Sequence, residues 1–487
     1  MGILDSGGYH VTRKKLVALA LFICNSMGAV EITIVTTAIP SIVKDLSGFN
    51  LASYVFSIFL LTSAIANTVF GKLADIYGKK KLLQISIVIF LIGSLMCGLS
   101  MNMEFLIFSR ALQGLGSGAL ATLTMAVIGD VFDVEERAMI SGYNSTVWSI
   151  ASLIAPLLGG IILLKFTWHW VFYINIPVGL ISMFLVHKYY NFKETKSSEK
   201  LDIKGLSVMT LFVICIIQAM SSLESNSFFS LRVLLPITLS ILFLIIFSKV
   251  EKTVESPVLP YQLFSKEIVL VMVITFLNAT ILIAMDVYNP SFMQSVQGYA
   301  PMMSTVPIVP LSTAWMLSSF ILSKMISRYS TKNILIASLS ILALGVFGLI
   351  FLTPTSSPWL MGTMSCVIGL GFGGSFNMLL FVVQETLSKE NMGMASGSVM
   401  FIRTLGQTIG ISAFGMILNN SVVKYFSKLG ISVNTSNFLN NHSLKAHDIV
   451  QAQFFGYNNI YIISFILAAI CVLVALFLPG NKKLNNY

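Results

Sequence analysis

The sequence predicts an all-α membrane protein: fourteen transmembrane helices, arranged as two six-helix pseudo-symmetric halves with two extra helices between them. Three observations predict it. Of 487 residues, 56% are hydrophobic and only 10% are charged, a balance that soluble domains do not show. Apolar runs long enough to cross a bilayer recur along the whole chain. The 30 Lys and Arg residues fall unevenly on the two sides those runs define.

Taken in order, the runs lie at 15–38, 50–71, 82–100, 104–128, 139–163 and 169–187, then 205–222 and 231–249. They continue at 267–288, 302–326, 333–352, 358–383, 393–418 and 457–478. With the N-terminus inside, 22 Lys and Arg lie on the inner side, 6 outside (Lys44, Lys165, Arg232, Lys424, Lys428, Lys445) and 2 within helices (Arg110, Arg403). That skew places both termini in the cytoplasm. The same arrangement removes nucleic acid as the reason for the net charge of +10. Three regions follow: residues 1–190 as an N-terminal half, 191–266 as a cytoplasmic linker with two extra helices, and 267–487 as a C-terminal half with an extracellular loop at 419–455.

Several local patterns are set aside on physical grounds. Arg13-Lys14-Lys15 before an apolar run imitates a signal peptide, but the run is too long and lacks a small-residue cleavage site. Met1-Gly2-Ile3-Leu4-Asp5-Ser6 fits a myristoylation pattern that a polytopic protein has no need of. Asn434-Thr435-Ser436 and Asn441-His442-Ser443 read as glycosylation acceptors, yet such triplets arise by chance in an Asn-rich loop. The five cysteines (Cys24, Cys97, Cys215, Cys366, Cys471) sit in apolar segments without metal-ligand spacing and read as small buried hydrophobes. Gly369-Leu370-Gly371-Phe372-Gly373-Gly374 satisfies G-x-G-x-x-G, but no strand precedes it, so its glycines read as close helix packing.

An internal repeat organises the chain. Gly114-Leu115-Gly116-Ser117-Gly118 recurs as Gly369-Leu370-Gly371-Phe372-Gly373, and Ser141-Gly142 recurs as Ser396-Gly397, both at an offset of 255 residues. The connection Gly71-Lys72-Leu73-Ala74-Asp75-Ile76-Tyr77-Gly78-Lys79-Lys80-Lys81 has a worn copy from Ser323 to Lys332, at an offset of 252. Two equal halves alone would need a shorter offset, and the extra helices account for the excess. Ser327 stands where the first copy has Asp75, and Ser330 where it has Gly78. The first loop is therefore expected to make an interaction that its twin does not.

Four ionisable residues lie well inside predicted helices: Glu31, Arg110, Asp286 and Arg403. A charge at mid-bilayer costs about 2.5–3.5 kcal/mol on insertion scales, so each must face a partner or a cavity. Mutual pairing and a proton relay both satisfy that demand, and neither excludes the other. Segment 267–288 puts Asp286 near the outer end of its helix, where water can solvate it. Arg403 is deeper and needs an acid or a substrate anion.

The loop from Gly71 to Lys81 resembles the G-x-L-a-D-r-x-G-r-k signature of the major facilitator superfamily, which implies a secondary transporter. Val30-Glu31-Ile32-Thr33-Ile34-Val35-Thr36-Thr37-Ala38-Ile39-Pro40 is similar to the first-helix motif L-D-x-T-I-V-N-V-A-L-P of its fourteen-helix drug:proton antiporters, with Glu in place of Asp and Thr36 in place of Asn. Leu106 to Gly116, containing Arg110, Gln113 and Gly114, resembles the fourth-helix motif l-x-x-x-R-x-x-q-G-x-g. Ala151-Ser152-Leu153-Ile154-Ala155-Pro156-Leu157-Leu158-Gly159-Gly160 resembles G-x-x-x-G-P-x-x-G-G with alanines at the first two glycines. Ala151, Ala155 and Gly159 form one smooth ridge, and Pro156 bends the helix. Trp168 to Gly179 resembles W-R-W-i-F-x-i-N-x-P-i-G, with His169 in place of Arg. Its tryptophans are expected to anchor at the membrane edge.

The resemblance implies proton-coupled efflux, by antiport, of amphipathic drugs, dyes or antiseptic cations across a bacterial cytoplasmic membrane by alternating access. Glu31 would exchange a proton for substrate with Arg110 and Gln113 beside it, and Asp286 and Arg403 are further candidates for coupling or substrate contact. Gly71, Asp75, Gly78, Lys79 and Lys80 would form the cytoplasmic gate. Ala151, Ala155, Pro156, Gly159 and Gly160 would pack the interface between halves. A dedicated exporter of one antibiotic, metabolite or lipid is the alternative, and a non-transporting receptor or scaffold is a third reading. No Walker loop, Ser/His/Asp set or metal cluster is visible, so no enzyme and no metal site are expected. The expected cofactor complement is none, with the proton gradient as energy source. The expected partners are amphipathic small molecules, protons and the lipid bilayer, for a monomer that binds no nucleic acid.

Overall fold

The computed structural model describes residues 5–132, 134–190, 203–225, 229–250, 253, 265–325, 329–386, 392–431, 433 and 445–478. Each predicted run contains a helix. The first half comprises α1 (Asp5–Leu46), α2 (Ala52–Tyr77), α3 (Lys79–Gly98), α4 (Met103–Val131), α5 (Val134–Lys165), α6 (Trp170–Tyr173) and α7 (Asn175–Tyr189). The pair α6 and α7 is one rod interrupted at Ile174. The hairpin α8 (Ile203–Ser225) and α9 (Leu231–Val250) follows. The chain ends with α10 (Lys266–Ser295), α11 (Ile308–Met325), α12 (Thr331–Leu349), α13 (Pro358–Thr386), α14 (Met392–Lys428) and α15 (Ala446–Leu476). Among the described residues, eleven helices are long and apolar enough to cross a membrane. The described parts of α5 and α8 supply only the shorter stretches Ile154–Lys165 and Ser207–Ile216.

The helices outrun the apolar runs. The loop expected at 419–455 is shorter, because α14 continues to Lys428 and α15 begins at Ala446. Hydropathy fades there, but Val422 and Phe426 still bury against Ala452, which holds both extensions in helix. Likewise α10 runs to Ser295, so Asp286 lies nine residues inside the end where the sequence had placed it. The candidate glycosylation triplets at 434–436 and 441–443, and residues 191–202 of the linker, lie outside the described residues.

Neighbour relations repeat along the chain. In the first part α1 packs on α4, α5 and α7, and α4 takes α2 and α3 against its sides; α10, α13, α14, α15, α11 and α12 repeat those pairings in the last part. The glycines explain the repetition. A Cβ on Gly118 would strike the Ser63 carbonyl, and one on Gly373 would strike the Trp315 carbonyl. Gly116 abuts Phe90, and Gly371 abuts Leu342. Each pair is the other shifted by the offsets in the sequence, so bare glycine backbone sets the same helix spacing twice. The α8–α9 hairpin rests on the seam between α2 and α14, with Met209 and Phe247 against Ile65, Val69 and Phe401.

The two ends of the molecule differ. The start of α1 and the end of α15 define a termini face. At the opposite face the two halves share one core, in which Ile39, Ile42 and Phe56 cluster with Val287, Phe292 and Leu418. Gln294 Nε2 donates to the Thr37 carbonyl there at 3.0 Å, and Gly160 abuts Met302. Towards the termini face, the core around Leu83, Leu120 and Val186 draws on first-half residues alone. The halves are thus closed together at the far face.

Candidate functional site

The sequence-predicted residues Glu31, Arg110 and Gln113 meet in the first half, and all three are completely buried. Arg110 Nη1 donates to Glu31 Oε1 and also to Gln113 Oε1 at 2.7 Å. Arg110 Nε donates to the Val55 carbonyl at 3.1 Å, and the guanidinium lies 4.0 Å from the Phe59 ring centre. Arg110 sits two turns into α4, where the interior offers no water, so its charge demands these partners. Its Nη2 has none.

Three residues that the sequence reading did not select complete the network. Asn175 Nδ2 donates to Glu31 Oε2 at 2.6 Å and to Ser94 Oγ at 2.8 Å. Gln113 Nε2 donates to the same Ser94 Oγ at 3.0 Å, and the Ser94 hydroxyl donates in turn to the Phe172 carbonyl at 2.9 Å. Cys97 Sγ donates to Gln113 Oε1 at 3.6 Å, so this cysteine borders the site rather than merely filling core. Asn175 stood in plain sight as the polar residue of Ile174-Asn175-Ile176-Pro177. Ser94 gave no signal, being one serine in an apolar run.

Asp286 and Arg403 come near one another in the second half without forming an ion pair. Each is the other's charged neighbour. Among the described residues, no hydrogen bond and no ion pair within 4.0 Å engages either side chain. Arg403 instead lies over aromatic faces, 4.3 Å from the Phe376 ring centre and 5.5 Å from that of Trp315. Those two rings stack at 5.3 Å and 5°, with Phe372 5.5 Å from Trp315. Asp286 and Glu31 occupy the same place in the repeat, 255 residues apart on α10 and α1. Their surroundings differ: Glu31 is sealed and Asp286 is half-buried.

The expected gate is only partly in view. The Asp75 side chain and the surroundings of Gly71 lie outside the described residues, as do the acidic side chains at 130–136. Gly78 has φ 99°, a conformation that favours glycine, and it separates α2 from α3. Its counterpart Ser330 has an ordinary φ of −69° and caps α12 through its hydroxyl. Lys80 Nζ donates to the His187 carbonyl at 2.9 Å at the C-terminus of α7. Lys332, its repeat counterpart, donates to the Leu476 carbonyl at 2.7 Å at the end of α15. Lys79 is buried.

On α5, Gly159 packs against Thr37 and Ile34 of α1, while Gly160 faces the second half at Met302. Ala151, Ala155 and Pro156 are buried. The ridge therefore serves contacts within the first half as well as across the seam. Trp168 corrects its expected role as an edge anchor: it is 4% exposed, and its Nε1 donates to Asp45 Oδ2 at 2.8 Å. Trp170 stays exposed.

A multi-pass helical fold with a charged network sealed in one half and an open charged pair in the other defines a membrane transporter, not an enzyme. The chain belongs to the major facilitator superfamily, whose family model matches residues 21–411. It is 35% identical over 410 residues to the multidrug efflux pump SdrM of Staphylococcus aureus (strain N315), covering 83% of this chain and 90% of that protein. It is 30% identical over 420 residues to multidrug resistance protein 3 of Bacillus subtilis (strain 168), covering 86% and 82%. Among solved structures, the fold matches a bacterial homologue of the human lysosomal transporter Spinster in an inward-facing, unoccupied conformation, with TM-score 0.67 and 13% identity over 96% of this chain and 97% of that one. It also matches the nucleoside transporter NupG, with TM-score 0.65 and 12% identity over 96% and 99%. At such identities these structures speak for the fold alone.

Proposed function

We propose that this protein is a proton-coupled multidrug exporter of a bacterial cytoplasmic membrane, with both termini in the cytoplasm and twelve core helices plus the α8–α9 hairpin. It acts as a monomer and alternates between a state open to the termini face and one open to the far face. The single observation that carries this reading is the sealed contact of Glu31 with Arg110 and Asn175. A buried carboxylate held by a movable cation can give up that cation when it takes a proton, which converts protonation into helix movement. The similarity to efflux pumps named for many drugs supports the substrate range of amphipathic drugs, dyes and antiseptic cations.

Dye efflux measured in inverted vesicles, with and without an imposed pH gradient, tests the reading. Gradient-driven flux of chemically unrelated dyes is expected, and it disappears in Glu31→Gln. Flux of one compound only would favour a dedicated exporter. Unimpaired proton-coupled efflux by Glu31→Gln would remove this carboxylate from the coupling step.

A further inference from the structure

The four intramembrane charges divide into two kinds. Glu31 and Arg110 neutralise one another, and neither has any exposed surface. They present no charge to a molecule entering between the halves. Asp286 and Arg403 are only half-buried, so each keeps accessible surface, and each is the other's charged neighbour. They stand near one another as one acid and one base, and among the described residues no hydrogen bond or ion pair satisfies either.

An isolated monocation approaching this place meets the Arg403 charge, and an isolated monoanion meets Asp286. Only a ligand bearing both charges gains at each. The aromatic wall of Trp315, Phe372 and Phe376 adds a flat apolar surface beside the pair. Arg403 already rests on that wall, and a guanidinium engaged through its face keeps its N–H edges for a carboxylate.

We propose that Asp286, Arg403, Trp315 and Phe376 form a binding subsite for aromatic zwitterions, with the ligand carboxylate on Arg403 and its protonated amine on Asp286. This rests on the export reading, and it narrows the substrate class from amphipathic cations to molecules carrying both charges on an aromatic frame. The site's own charges do the sorting. A zwitterion lets both side chains exchange water for a charge-assisted bond, whereas a singly charged analogue leaves one of them unpaired.

Equilibrium binding to the purified full-length protein in detergent, followed by probe fluorescence, tests this without any gradient. Three probes share one frame: aminomethyl-naphthoic acid, its methyl ester, which is a cation, and its N-acetyl derivative, which is an anion. The wild-type protein should bind the zwitterion about tenfold tighter than either analogue. Arg403→Gln should erase the preference over the ester, and Asp286→Asn the preference over the N-acetyl compound. Should Arg403→Gln fail to fold, Arg403→Lys keeps the charge but loses the fork, and should retain only part of the preference. Equal binding of the three probes by the wild-type protein, or an undiminished preference in the variants, would overturn the subsite. Zwitterion preference in a protein that shows no gradient-driven flux would overturn the export reading and leave the subsite standing.

Discussion

Asn175 reaches 144 residues back along the chain to donate a 2.6 Å hydrogen bond to the Glu31 carboxylate. The bond joins α7 to α1 at the oxygen that Arg110 leaves open, so each carboxylate oxygen has its own donor. Ser94 then ties Asn175 to Gln113, which closes the network on itself. Replacing Asn175 by Leu removes two donors from a dry site and keeps the shape. A loss of about 1–3 kcal/mol is expected, read as a lowered unfolding temperature in detergent. Replacing the half-buried Asn458 would be a poor control, since its amide also bonds a carbonyl, that of Ile350; an exposed residue such as Leu344 serves better.

The Glu31–Arg110 pair should show its burial through a double-mutant cycle. Arg110→Met alone leaves a dry carboxylate, and Glu31→Gln alone leaves a dry guanidinium; each is expected to cost about 3–5 kcal/mol. The double variant should recover much of that loss, because two neutral side chains no longer need one another. Additive losses across the cycle would mean that the two charges do not act as a pair.

Lys80 and Lys332 predict a test of the gate. Both hold the last carbonyls of a helix, at His187 and at Leu476, so both act where the helix dipole is negative. As caps, Lys80→Met and Lys332→Met should each cost about 0.3–1 kcal/mol and speed amide exchange in the last turn of α7 and α15. A severe transport loss in Lys80→Met, with Lys332→Met normal, would show that Lys80 has a gating duty its twin lacks.

The repeated glycines predict matched damage in the two halves. Gly118→Ala drives a methyl into the Ser63 carbonyl, and Gly373→Ala drives one into the Trp315 carbonyl. Backbone cannot yield as a side chain does, and overpacking of this kind costs about 1–3 kcal/mol. Thermal unfolding should register both substitutions. Neither being felt would contradict the close approach of α2 to α4 and of α11 to α13.

Orientation is open to chemical labelling. In a cysteine-free background, cysteines at Lys44, Gly298 and Ser436 should react with an impermeant reagent added outside intact cells, and cysteines at Lys80, Lys196 and Ser388 should not. Reaction at position 196 from outside would invert the assignment or displace the α8–α9 hairpin.

Hydropathy and spacing determined that this chain folds as long helices in a membrane, because the bilayer demands length and apolarity that any single segment reveals by itself. The repeat offset was equally legible: glycines must recur wherever two backbones touch, and Gly114 to Gly118 return at Gly369 to Gly373. Glu31, Arg110, Asp286 and Arg403 declared themselves through the cost of a charge in hydrocarbon. Which of them meet could not be read from the chain, since pairing depends on how α1, α4, α7, α10 and α14 turn against one another. Only the tertiary structure seals Glu31 between Arg110 and Asn175 while leaving Asp286 and Arg403 near one another without an ion pair, with Arg403 over Trp315 and Phe376. Ser94 and Trp168 mark the same limit. A serine or a tryptophan acquires its role from what stands opposite it, and no local pattern names that partner.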